Sequence, residues 1–217
     1  MKTIDKIHNI LKDLFNRRYP VLWLKLFLKK SNPVKEQIPF IPFRAQEWLN
    51  RFLKPDMRVF EYGSGGSTIF IAKRVKSLVS IEHDKKWYQY INEILAKNAV
   101  KNCEYFLIEP EYGDSKFRSS YTTFNQLLYK PFKQYITQID RYPDASFDLV
   151  SIDGKARYFC VKRAIRKVRK GGILLLDDSN YGTFRPSVDL LLRYPKHEFY
   201  GLSPFVGFNQ TTIWKIT

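Results

Sequence analysis

The chain has 217 residues, 44% of them hydrophobic, which is enough to bury one sizeable core and not several. Its formal net charge of +16 favours acidic partners such as nucleic acid, anionic lipid or polyanionic glycan and says nothing about the fold. Cys103 and Cys160 are the only cysteines and belong to no close-spaced motif, which argues against a thiolate zinc site or a redox pair and fits a reduced, cytoplasmic setting.

In chain order, residues 1–44 form a basic helical extension. Ile4, Ile7, Leu11, Leu14 and Phe15 recur at helical spacing, which predicts an amphipathic helix ending near Tyr19-Pro20. A second short helix is expected over 21–30 and a third over 43–53, on either side of the extended, proline-broken "NPVKEQIPFIP". The apolar stretch "VLWLKLFL" is interrupted by Lys25 and is far shorter than the roughly 20 residues of a membrane span. The opening "MKTIDKIHNI" lacks the apolar core of a signal peptide. Residues 1–58 hold 13 lysines and arginines against 5 acidic residues, half the net charge in about a quarter of the length. Two readings follow. The helices pack over a sheet edge or roof the site, or they lie as a basic surface on an anionic membrane or a partner.

From residue 57 onward, apolar runs alternate with helical patterns. Strands are expected at 57–62, 77–82, 103–109, 147–152 and 172–177, with helices at about 67–76, 85–98, 156–169 and 185–193. Continuous apolar strands separated by helices predict a parallel sheet covered on both faces. The tail differs, because "HEFYGL" and "QTTIWKI" have no helix between them and read as an antiparallel pair.

The turn after the first strand reads "VFEYGSGGST". Gly63, Gly65 and Gly66 fall where a tight turn brings backbone amides and a helix N-terminus to a ligand. A glycine turn alone is weak evidence, since a dinucleotide fold uses it for pyrophosphate. The carboxylates on either side discriminate. Glu61 suits a cationic ligand group and would repel a pyrophosphate. Glu82, 19 residues after Gly63 at the end of the second strand, stands where a carboxylate accepts both ribose hydroxyls. A ligand with a cationic amino-acid part and a ribose suits both, which makes an NAD-dependent oxidoreductase the weaker alternative.

These residues resemble the class I S-adenosylmethionine-dependent methyltransferases. "EYGSGGST" is similar to their motif I, "SIEHD" at 80–84 to their acidic second-strand end, and "FDLVSIDG" with "VRKGGILLLDDSNY" to their fourth and fifth strands. The resemblance covers about residues 45–217. It implies a Rossmann-like, doubly wound α/β sheet of seven strands, mostly parallel, ending in an antiparallel C-terminal hairpin strand. Ser67 stands where the family's third glycine is usual. The resemblance further implies that Glu61 and the backbone of Gly63, Ser64 and Gly65 hold the methionine part of S-adenosylmethionine, with Ser67 capping the helix. It places the ribose at Glu82, the adenine near His83, Ile108 and Glu109, and the methyl group before Asp153.

Transfer to a hydroxyl needs a base or a metal. Asp153 with Asp177 and Asp178 puts three carboxylates near the carboxyl edge of the sheet, an arrangement similar to the metal-dependent O-methyltransferases. Asp178 replaces that group's asparagine and Gly154 departs from its usual neighbour. A divalent cation held by Asp153, Asp177 and Asp178, or a metal-free base at Asp153 or Asp178, are the two alternatives. The expected activity is O-methylation of a small molecule or saccharide. Methylation or binding of RNA or another polyanion is the rival, suggested by the charge and by the eight basic residues of "KARYFCVKRAIRKVRK" at 155–170. The insert 110–146 carries Tyr112, Phe117, Tyr121, Phe124, Tyr129, Phe132, Tyr135 and Tyr142, rings that either shape the acceptor pocket or pack the insert onto the core.

Overall fold

The computed structural model describes residues 3–16, 18–111, 129–205 and 207–217. Seven strands form one sheet: β1 (Arg58–Tyr62), β2 (Ser77–Glu82), β3 (Cys103–Leu107), β4 (Phe147–Ile152), β5 (Val168–Leu176), β6 (Lys196–Ser203) and β7 (Gly207–Lys215). Their order is β3-β2-β1-β4-β5-β7-β6. The first five are parallel, and β7 enters antiparallel between β5 and β6. This is the expected doubly wound sheet with its terminal hairpin.

Alternation along each strand sends successive side chains to opposite faces. Val59, Leu149 and Leu175 point to one core, which is completed by α4 (Phe43–Phe52) and α5 (Gly66–Ala72). Phe60, Val150 and Leu174 point to the other, completed by α7 (Lys133–Thr137) and α8 (Arg157–Lys167). A further helix, α6 (Lys85–Lys97), follows β2 and buries Ile91 and Leu95. Asp84 caps it by accepting from the Trp87 N–H at 2.8 Å. Strand order reverses between β1 and β4, so the loops after these two strands diverge and leave a crevice. That crevice holds the site.

Several boundaries move. β5 begins at Val168 because it opens a fresh pairing with Phe147 and then shifts register, so α8 ends at Lys167. The expected helix at 185–193 shrinks to α9 (Arg185–Asp189). The stretch "NPVKEQIPFIP" is not wholly extended. Asn32 accepts the Lys35 N–H at 2.9 Å and caps one turn, α3 (Pro33–Glu36), where Pro33 takes the first-turn position that needs no amide.

The N-terminal helices are α1 (Thr3–Phe15) and α2 (Arg18–Leu28). The first stops before Tyr19-Pro20, and Pro20 sits in the first turn of the second, where its missing N–H costs nothing. α2 docks through Tyr19, Trp23 and Leu26 onto Phe43 and Leu202. α1 behaves differently: its one buried residue is Asp13. Asp13 accepts the Leu202 N–H at 2.7 Å and pairs with Arg44 Nε at 2.8 Å. Arg44 also donates to the Tyr200 carbonyl, so the outer rim of edge strand β6 finds partners among side chains. The helices do pack at the sheet edge, on β6, as the first of the two readings expects, but α1 does so with its polar side, and its apolar stripe Ile4, Ile7, Leu11, Leu14 and Phe15 faces outward.

Candidate active site

The turn between β1 and α5 is tied down by Glu61. This carboxylate is 1% exposed and accepts three hydroxyls, Ser67 and Thr68 of α5 and Ser80 of β2, each at 2.6 Å. Thr68 Oγ1 in turn accepts the Gly65 N–H at 2.9 Å. Burial pushes the Glu61 pKa up to about 7, the three hydroxyls oppose this, and the Asp153 charge adds to it. Glu61 and Ser67 thus sit behind the turn and fix its shape. Neither they nor Gly65 reach the cavity wall.

Gly63 does. Its φ of +88° is open to glycine, and a Cβ there would stand 2.8 Å from the backbone of Gly154. A Cβ on Gly154 would strike the Tyr135 hydroxyl. The two glycines let the loops after β1 and β4 close on each other.

Between these loops and α6 lies a cavity of about 610 Å³, walled by Gly63, Ser64, Glu82, His83, Asp153 and Gly154 on the sheet side. Glu82 is 3% exposed. One oxygen accepts the Ser64 N–H and hydroxyl at 3.1 and 2.9 Å, and the other accepts the His83 and Asp84 amides at 2.7 and 2.9 Å. Burial raises its pKa, but the His83 ring 2.7 Å away and the backbone amides outweigh this and hold it below the usual carboxylate range. Ser64 bonds Tyr105 Oη at 2.7 Å, and its carbonyl accepts the Trp87 indole N–H at 2.8 Å. Ile108 follows β3 and donates its N–H to the Glu82 carbonyl at 2.7 Å. It and Glu109 are absent from the cavity wall.

The carboxylates of Asp153, Asp177 and Asp178 converge to within 4.8 Å of one another. Asp177 is 2% exposed and accepts the Thr211 hydroxyl. Burial, then the charges of Asp153 and Asp178, raise its pKa well above the ordinary value. Asp153 is raised to about 6 by desolvation at the cleft floor. Arg157 pulls it down, while Asp178 and Glu82 push it up. Although the protein around it excludes solvent, 40% of its side chain still looks into the cleft.

The donor set is of the type that binds a divalent cation. The space is taken by Arg157. Its Nη2 lies 2.9 Å from Asp153 Oδ1 and 3.4 Å from Asp178 Oδ2, and Nη1 donates to the Asp177 carbonyl at 2.6 Å. Nε donates to the Gly154 carbonyl at 3.0 Å, and the guanidinium lies 4.4 Å from the Phe184 ring centre. As arranged, the cluster does not fit a divalent cation, because one would have to displace a guanidinium already bonded to both strand-end loops.

Sequence reasoning brought Gly63, Ser64, Glu82, His83 and Asp153 to one cavity and missed Trp87, Tyr90, Lys86 and Lys155 on the same wall. It also missed Arg157, hidden in the basic run. Of the eight cations at 155–170, five are ion-paired: Arg157, then Arg163 and Arg166 with Asp140, Lys167 with Asp144, and Arg169 with Asp148. Much of that charge therefore holds α8 in place. Phe132 and Tyr135 are buried in the core and Tyr142 packs against it. Tyr112, Phe117, Tyr121 and Phe124 lie outside the described residues.

A Rossmann-like sheet with a switch-point cleft, a glycine turn and an acidic second-strand end defines the class I, S-adenosylmethionine-dependent methyltransferase architecture. Residues 60–179 match the methyltransferase domain family, and the chain belongs to it. No curated protein matches it in sequence. Three solved structures share the fold. An rRNA methylase from Streptococcus thermophilus is 11% identical with a TM-score of 0.57, over 80% of this chain and 94% of that one. A methyltransferase-like protein from Silicibacter pomeroyi is 19% identical with a TM-score of 0.52, over 82% and 91%. A SAM-dependent O-methyltransferase from Thermotoga maritima is 9% identical with a TM-score of 0.56, over 81% and 66%.

Proposed function

We propose that the chain transfers the methyl group of S-adenosylmethionine to a hydroxyl on a small molecule or saccharide, in a reduced, cytoplasmic setting, with Asp153 as a metal-free base. The observation that carries this is Asp153 itself, a carboxylate raised to about 6 that faces the cavity beside Gly63, Ser64 and Glu82. Glu82 accepts the ribose hydroxyls, displacing Ser64 from its oxygen. The backbone of Gly63 and Ser64 receives the methionine part, and Trp87 and Tyr90 offer ring faces to the adenine. The acceptor oxygen attacks the methyl carbon in line, the carbon–sulfur bond breaks to leave neutral S-adenosylhomocysteine, and the hydroxyl proton passes to Asp153. Arg157, bonded to Asp153 and close to Asp178, aims the base and helps keep it mostly ionised at neutral pH.

Asp153→Asn is expected to lower turnover by about 10²–10⁴-fold while leaving S-adenosylhomocysteine affinity nearly intact, and Asp178→Asn to lower it through loss of the Arg157 clamp. kcat should rise as pH passes about 6, and chelator should leave it unchanged. Near-normal turnover in Asp153→Asn would sink the base. A chelator-sensitive rate restored by a divalent cation would replace it with a metal.

A second reading, an RNA or other polyanionic acceptor, draws on Lys86 and Lys155 in the cavity wall. Filter binding with a salt titration tests it, since phosphate contacts give a steep salt slope.

A further inference from the structure

Fourteen large hydrophobic side chains are exposed among the described residues, and ten of them belong to α1 and α2. α1 supplies Ile4, Ile7, Leu11, Leu14 and Phe15, the last 81% exposed, and α2 supplies Val21, Leu22, Leu24, Phe27 and Leu28. Scattered apolar residues on a surface need no explanation, whereas a concentration on two touching helices marks a contact surface.

The orientation of α1 strengthens the point. An amphipathic helix ordinarily turns its apolar stripe to the core. Here the polar side is held against the sheet by the Asp13 and Asn9 bonds to Arg44 and the Asp13 bond to Leu202, and the apolar stripe is left outside. Around that stripe the charge is predominantly basic. Lys12, Lys25 and Lys30 are exposed and make no ion pair among the described residues, while Arg18 and Lys29, exposed at its margins, pair with Glu47 and Glu36. Asp5 is the only exposed acid on the two helices.

We propose that α1 and α2 are a docking surface for an anionic lipid bilayer, the apolar side chains entering the acyl boundary and the lysines meeting headgroup phosphates. With 13 and 11 residues the helices are too short to span and lie along the interface. A second copy of this chain is the poorer occupant, because each copy carries +16 and brings the same basic rim. The surface stands apart from the cavity and does not depend on the acceptor.

The test is sedimentation of the full chain with vesicles of phosphatidylcholine alone and of phosphatidylcholine with phosphatidylglycerol. Binding to the anionic vesicles should be stronger by about tenfold or more and should fall as salt is raised. The double variants Ile7→Glu with Leu11→Glu, and Leu24→Glu with Leu28→Glu, should each lose about tenfold or more of that binding at an unchanged melting temperature. Lys12→Glu with Lys25→Glu and Lys30→Glu should abolish the preference for anionic vesicles. Failure to sediment with either vesicle, equal binding to both, or unaffected glutamate variants overturns the proposal. So does a wild-type dimer in analytical ultracentrifugation that those variants dissociate.

Discussion

Glu61 and Glu82 end neighbouring strands, and both are almost wholly buried, yet their surroundings send them opposite ways. Glu82 collects amides and a histidine ring and stays ionised, ready to accept from a ligand. Glu82→Ala is expected to weaken S-adenosylhomocysteine binding by about 1–3 kcal/mol, read by isothermal titration, and unchanged affinity in a folded variant would remove it from the ribose role. Glu61 collects only hydroxyls and is raised from 4.5 to about 7. A carboxyl raised on folding contributes stability when protonated, so its contribution is full below about pH 4.5 and lost as pH climbs through about 7. Glu61→Gln stays neutral throughout. Between about pH 5 and pH 8, wild-type stability should therefore fall relative to the variant by up to about 3 kcal/mol in denaturant melts. Both glutamates were legible in the sequence because each closes an apolar strand beside a turn. What spacing could not tell was that one faces the cavity and the other lies behind it. Arg157 was illegible for a different reason: one cation among eight in the run 155–170 carries no mark of which will find carboxylates.

Strands were the most legible elements, since unbroken runs such as "LLLD" have little alternative to a sheet covered on both sides. The N-terminal helix shows the limit of the same method. Its period was legible and its orientation was left open between two readings, because periodicity locates a stripe without naming what covers it. The Asp13 contact is what reverses the helix, and its partners Arg44 and Leu202 are remote in sequence. Asp13→Ala leaves a guanidinium and an edge amide without their partner, and breaking a buried ion pair from one side typically costs about 3–5 kcal/mol. A drop of that order in chemical denaturation is expected. A loss below about 1 kcal/mol would mean that α1 is held mainly by α2.

For the molecule as a whole, +16 is a mutual repulsion that the fold offsets only in places, such as the α8 ion pairs. Salt should screen the long-range repulsion more than it weakens those close pairs, so the melting temperature should rise from low to moderate ionic strength. A fall would show that the pairs dominate. The Asp13–Leu202 hydrogen bond carries a last consequence, because it joins residues 189 apart. Because α1 precedes β6 in the chain, it leaves the ribosome well before β6 exists. For that interval the helix lacks the edge strand that holds its polar side, and its apolar side is free to meet whatever surface is near before the enzyme is complete.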